Sequence, residues 1–104
     1  MINVSVKETN GSISSIAIKG HGNMEYGKDI VCSAVSSCFI GALNALKNEK
    51  SFEFKVEEGD GLVKAIDKLD MHDEIVLETL FVQLSTIANS FPDIVKVNVS
   101  RKEG

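Results

Sequence analysis

INVSVKETNGSISSIAIK, residues 2–19, is the stretch from which the fold is read. Ile2, Val4 and Val6 alternate with Asn3, Ser5 and Lys7. A period of two sends apolar side chains to one side and polar ones to the other, the mark of a half-buried strand. Asn10-Gly11 follows, the dipeptide that most readily closes a two-residue hairpin. Ile16 and Ile18 then alternate with Ser15, Ala17 and Lys19, a second strand that Gly20 ends.

Beyond the hairpin, GHGNMEYGK at 20–28 holds three glycines in nine residues and reads as an adaptable loop. Asp29 stands where a helix N-cap belongs, before a long apolar-periodic run. Val31, Val35, Cys38, Ala42 and Leu46 share one helical face, and Ile30, Ala34, Phe39, Ile40 and Leu43 widen it nearly all round. A helix apolar on most sides is buried on most sides, so a subunit interface is expected. Phe52, Phe54 and Val56 alternate with Glu53, Lys55 and Glu57 as a third strand. Gly59-Asp60-Gly61 is read as a turn, and residues 62–67 as a fourth strand. Asp70 can cap a second helix with Asp73 and Glu74 in its first turn, and the apolar stripe Leu77, Leu80, Phe81, Leu84, Ile87, Ala88 and Phe91 runs to a stop at Pro92. Val95, Val97 and Val99 form a last strand, leaving residues 101–104 as a mobile tail. The order is ββαββαβ. It predicts an α+β fold, a two-layer α/β sandwich with two helices on one face of a mixed five-stranded sheet. The other face, with Ser5, Lys7, Lys55, Glu57 and Asn98, is expected to be wet.

The whole chain, 104 residues, is expected to form a single domain, since no Pro/Gly/Ser-rich linker divides it. Its net charge of −4 and single arginine, Arg101, argue against a sequence-independent nucleic-acid binder. The N-terminus has no basic region of the signal-peptide kind. The longest uncharged run, Ile30 to Leu46, is short of the ~20 residues of a membrane span and carries several polar residues. A cytoplasmic protein with reduced cysteines is the expectation.

The chemistry concentrates between Gly20 and Ser37. His21 ends a strand in a glycine-rich loop, and Cys32 falls as the third residue of the next helix if Asp29 caps it. There the positive helix end favours thiolate over thiol. An imidazole folded back onto that sulfur completes an activated nucleophile, and the Cys32 backbone N–H is a candidate oxyanion donor. Ser36, one turn on, shares the face of Cys32. A buried structural cysteine beside an exposed loop histidine fits the same residues. Cys38 is read as core; six residues from Cys32, it points about 120° away and cannot form a local disulfide. His72 is read as a surface residue. His21, Cys32, Cys38 and His72 match no usual zinc spacing, and no phosphate or dinucleotide fingerprint is present. No metal or cofactor is expected.

Gly20-His21, a short glycine-containing loop, then Tyr26-Gly27-Lys28-Asp29-Ile30-Val31-Cys32 and Ser36 resemble the ribosomal-processing cysteine protease (Prp) family of bacteria. The resemblance implies a small cytoplasmic homodimer using a Cys–His pair. It implies removal of the N-terminal extension of ribosomal large-subunit protein twenty-seven. The family's nucleophile falls on Cys32 and its histidine on His21. Asp29 and Ser36 take supporting roles, and Gly20, Gly22, Tyr26 and Gly27 belong to a loop that closes on the peptide. The partner implied is the ribosomal protein precursor, with neither membrane nor nucleic acid contacted directly. The alternative reading is a non-catalytic ribosome-assembly or RNA-associated binding module, against which stand the acidic charge and the lack of a GXXG or aromatic RNA-binding pattern.

Overall fold

The first hairpin forms where the alternation places it. Strand β1 spans Ile2–Thr9 and β2 spans Ser12–Lys19. Asn10 and Gly11 both have positive φ, 54° and 83°, the backbone that a two-residue type I′ turn demands. The computed structural model describes residues 1–20 and 28–102; the side chains of residues 28 and 29 are outside that description. After β2 come α1 (Lys28–Ala45), a 3₁₀ turn (Glu49–Ser51), β3 (Phe52–Glu57), β4 (Asp60–Ala65), α2 (Met71–Ser90) and β5 (Val95–Lys102). The chain is thus a ββαββαβ fold with a five-stranded sheet in the order β3-β4-β2-β1-β5. β5 runs parallel to β1 and the other pairings are antiparallel.

Both helices cover the same face. Val4, Val6, Ile16, Val63 and Val95 of the sheet are buried with Val31, Val35 and Phe39 of α1 and Leu77, Leu80 and Leu84 of α2. Each such side chain contributes roughly 1.5–3 kcal/mol on leaving water. α2 lies over β2 and β5. α1 lies toward β4, where the Phe39 ring rests on Gly61; a Cβ there would stand 2.8 Å from Phe39 Cε2. The opposite face carries Ser5, Lys7, Lys55, Glu57 and Asn98, all exposed.

Several boundaries differ from the sequence reading. The register passes from Lys7↔Ser15 to Glu8↔Ile13, so Ser14 is the extra residue of a bulge. Its hydroxyl donates to the Lys7 carbonyl at 3.2 Å. The bulge returns Ile13 to the core side, where strict alternation from Ile16 does not put it. β4 starts at Asp60 instead of residue 62, because the turn is only Glu58-Gly59, with Gly59 at φ 73°. The expected mobile tail is strand as far as Lys102. Arg101 Nε donates to Glu8 Oε2 at 2.7 Å, and the Lys102 carbonyl accepts from Asn10 N–H at 3.1 Å. α2 ends at Ser90, and Phe91, expected in its stripe, is the exposed C-cap residue. α1 is not buried all round: Ile30 is 65% exposed, and Ser36, Ser37 and Ile40 face outward.

Candidate active site

Gly20 anchors one side of the candidate site. Its φ of +106° suits glycine, and a Cβ there would collide with the Met1 carbonyl oxygen. Its N–H donates to the Gly59 carbonyl at 3.0 Å, tying the end of β2 to the β3–β4 turn. The next seven positions include His21, Gly22, Tyr26 and Gly27, which lie outside the described residues. α1 then begins at Lys28, so Asp29 is its second residue and not the N-cap. Aspartate is favoured in a first helical turn as well as at a cap, since both positions face the positive helix end.

That shift changes the setting of Cys32. It is the fifth helical residue, not the third. An amide at that position has the carbonyl four residues back, that of Lys28, as its partner. The Cys32 N–H is therefore not among the four unpaired donors of the helix start. The sulfur stays near the positive end of α1, half-buried and packed against the core. Ser36 lies one turn further on, exposed. Both cysteines are thiols. Cys38, read as core, packs against the core cluster half-buried, and lines an apolar groove between α1 and α2 with Gly41, Ala42, Ile75 and Val76.

The sequence reading missed what Asp73 does. It is wholly buried. Its Oδ1 accepts from Lys47 N–H at 2.9 Å and its Oδ2 from Asn48 N–H at 3.0 Å, while His72 Nδ1 lies 2.9 Å from Oδ1. Asp70, the N-cap of α2, accepts from Asp73 N–H at 2.8 Å and from Asn48 Nδ2 at 2.7 Å. The pair staples the end of α1 to the start of α2. Burial pushes the Asp73 carboxyl up, but the N–H donors of Lys47 and Asn48 and the His72 ring outweigh it and hold it below the ordinary 3.8. Asp70, His72 and Asp73 are the one group among the described residues with donor atoms close enough to hold a metal, within 4.8 Å. Backbone amides already use both Asp73 oxygens, so the cluster is structural. No residue pattern announced this, because the partners of Asp73 lie some 25 residues away.

No described helix is long and apolar enough to cross a membrane. Comparison with known proteins converges on one group. A family model described as cysteine protease Prp matches residues 1–96. The ribosomal processing cysteine protease Prp of Staphylococcus aureus strain Mu50 is 25% identical over 93 residues, 85% of this chain and 88% of that protein. The protein of the same name from Bacillus subtilis is 28% identical over 110 residues, 96% of this chain and 98% of its own. The crystal structure of an essential ribosomal processing protease Prp from S. aureus, with a covalently linked product peptide, superposes with a TM-score of 0.84 at 25% identity. It covers 96% of this chain and 100% of that one.

Proposed function

The chain belongs to the cysteine protease Prp family, and from that premise we propose that it cuts the N-terminal extension from ribosomal large-subunit protein twenty-seven with Cys32 as nucleophile and His21 as its proton carrier. Family membership favours this over the RNA-associated binding module. The observation that carries the reading is the setting of Cys32: a half-buried thiol near the N-terminal end of α1. Gly20, the neighbour of His21, is tied down where β2 ends, and α1 returns over the same sheet.

His21 takes the proton of the Cys32 thiol, and the thiolate attacks the scissile carbonyl carbon. The tetrahedral oxyanion collapses, the C–N bond breaks, and protonated His21 gives its proton to the leaving amine. Water, deprotonated by His21, then hydrolyses the thioester and regenerates the thiol. The oxyanion is served by the positive end of α1 rather than by the Cys32 amide, which the helix occupies. Asp29 and Ser36 support the pair, and Gly20, Gly22, Tyr26 and Gly27 take part in binding the peptide. No metal or cofactor takes part. We place the protein in the cytoplasm as a homodimer. The apolar groove that Ile75, Val76 and Cys38 line supports a second copy there, with Val82 also exposed on α2. A monomer mass in light scattering at micromolar concentration would refute the dimer.

The test is the alkylation rate of Cys32 against pH in the Cys38→Ala background, with and without His21→Ala. Cys32 is expected to react faster with His21 present than in the His21→Ala variant. Cys32→Ala should abolish cleavage of the precursor peptide and leave Tm within a few degrees. An ordinary thiol indifferent to His21, with cleavage surviving Cys32→Ala, overturns the assignment.

A further inference from the structure

We propose, on the reading of the chain as a peptide-cutting enzyme, that β3 is its docking strand: the substrate pairs in extended form with the free edge of β3 and sets two apolar side chains, two residues apart, against Phe54 and Val56.

The first support is the open edge. Among the described residues β3 pairs with β4 on one side and is the outermost strand. The hairpin closes on Glu57↔Asp60 across a two-residue turn, so that pair exchanges both ladder hydrogen bonds. Bonded and non-bonded pairs alternate, so Lys55↔Leu62 and Glu53↔Lys64 bond as well. The main-chain N–H and C=O of Phe54 and Val56 therefore point away from β4, into the open edge.

The second is the side-chain face. Phe54 pairs with Val63 and Val56 with Gly61, so both point to the helix-covered side of the sheet. Yet Phe54 is 41% and Val56 57% exposed, because α1 reaches only as far as Gly61. Exposed edges are ordinarily blunted by charge or proline; here the charges Glu53, Lys55 and Glu57 all lie on the other face. Lys55 is held there by Asp60, 2.7 Å from its Nζ.

The third is where Cys32 sits relative to this shelf. On a helix of 100° per residue, Phe39 lies within about 20° of Cys32 and Ser36 within about 40°. Phe39 is the side chain that rests on Gly61 of β4. Gly41, in the groove toward α2, lies about 180° from Cys32. Cys32 and Ser36 thus occupy the flank of α1 that looks toward β4 and β3. α1 leaves the sheet end where β2 finishes and returns to the end where β3 starts, so Cys32 lies beyond Val56 toward the Glu58-Gly59 turn. Seven residues of helix are about 10 Å, which an extended peptide covers in roughly three residues. The apolar residue seated at Val56 is therefore about three positions from the scissile bond.

The test measures binding of a fluorescein-labelled precursor peptide, spanning the junction, to Cys32→Ala protein by anisotropy. Phe54→Ser and Val56→Ser are each expected to raise Kd about tenfold, the loss of most of one buried apolar side chain. Val56→Ser should keep its Tm, since that side chain is 57% exposed; Phe54→Ser gives up the ring contact with Phe52 at 5.8 Å and should lower Tm by a few degrees while remaining folded. Unchanged Kd in both folded variants overturns the proposal. If the variants instead lower the mass in light scattering while Kd holds, the edge belongs to a second copy, and the proposal is equally overturned. Wild-type protein that cuts no peptide, but binds it through Phe54 and Val56, sinks the protease reading and leaves the docking strand standing. Wild-type cleavage with Kd insensitive to both substitutions does the reverse.

Discussion

Replacing Asp73 by alanine should be among the most damaging single changes in this protein. The carboxylate is fully buried and accepts the N–H groups of Lys47 and Asn48, at 2.9 and 3.0 Å, as well as facing the His72 ring. Alanine leaves those two amides without their acceptors at the junction of the helices. Each hydrogen bond to a charged acceptor contributes about 1.5–3 kcal/mol, and both here are only part-buried, which favours the lower half of that range. The sum is about 3–5 kcal/mol, a large part of the 5–15 kcal/mol typical of a whole domain. Tm should fall by roughly 15–25 °C. Asp73→Asn keeps one acceptor oxygen and should recover about half of the loss. Urea unfolding followed by circular dichroism measures both. The pH dependence has a definite sign. The folded carboxyl is held below its ordinary value. Its contribution is therefore complete above the unfolded value of about 4 and is lost as pH falls through the lower folded value. Wild type should lose stability in that acid window, and Asp73→Ala should have a flatter curve there. A loss under 1 kcal/mol with unchanged m, or an equally steep acid limb in the variant, would show that water replaces the carboxylate and that the staple adds little.

Two glycines offer complementary tests. Gly20→Ala places a Cβ against the Met1 carbonyl at a φ of +106°, and the resulting strain should cost about 1–3 kcal/mol, read as a lower urea midpoint. Its proteolytic rate should fall further than Tm predicts, since His21 is the next residue. Gly61→Ala pushes on the Phe39 ring from 2.8 Å and should destabilise by about 1–3 kcal/mol, with the ring's NMR resonances displaced. Unshifted Phe39 resonances would mean that β4, not α1, gives way.

The family motif itself was legible because it is local. Gly20, His21, Asp29, Cys32 and Ser36 sit within seventeen consecutive residues, and their order carries the resemblance without any fold. The helix register around Cys32 was not legible to the residue. Aspartate suits both the cap and the first turn, so Asp29 could not say which it occupied. That single ambiguity decided whether the Cys32 amide was an unpaired donor or a helical one.

The elements came from the same kind of short-range information. Alternation, Asn10-Gly11 and the 3.6-residue stripe of α2 depend on neighbours a few positions apart, and side-chain geometry makes them unambiguous. What tertiary structure alone decided is everything that depends on who lies across the sheet. The alternation of Phe52, Phe54 and Val56 looks uniform, yet Phe52 is buried and the other two are exposed, because α1 stops at β4. Asp73 looks like one more acidic residue in a first turn, yet amides just beyond the end of α1 make it a buried staple. The order β3-β4-β2-β1-β5 leaves one strand uncovered on the flank of Cys32. A periodic pattern states which residues seek burial, and only the finite reach of two helices over five strands settles which of them obtain it.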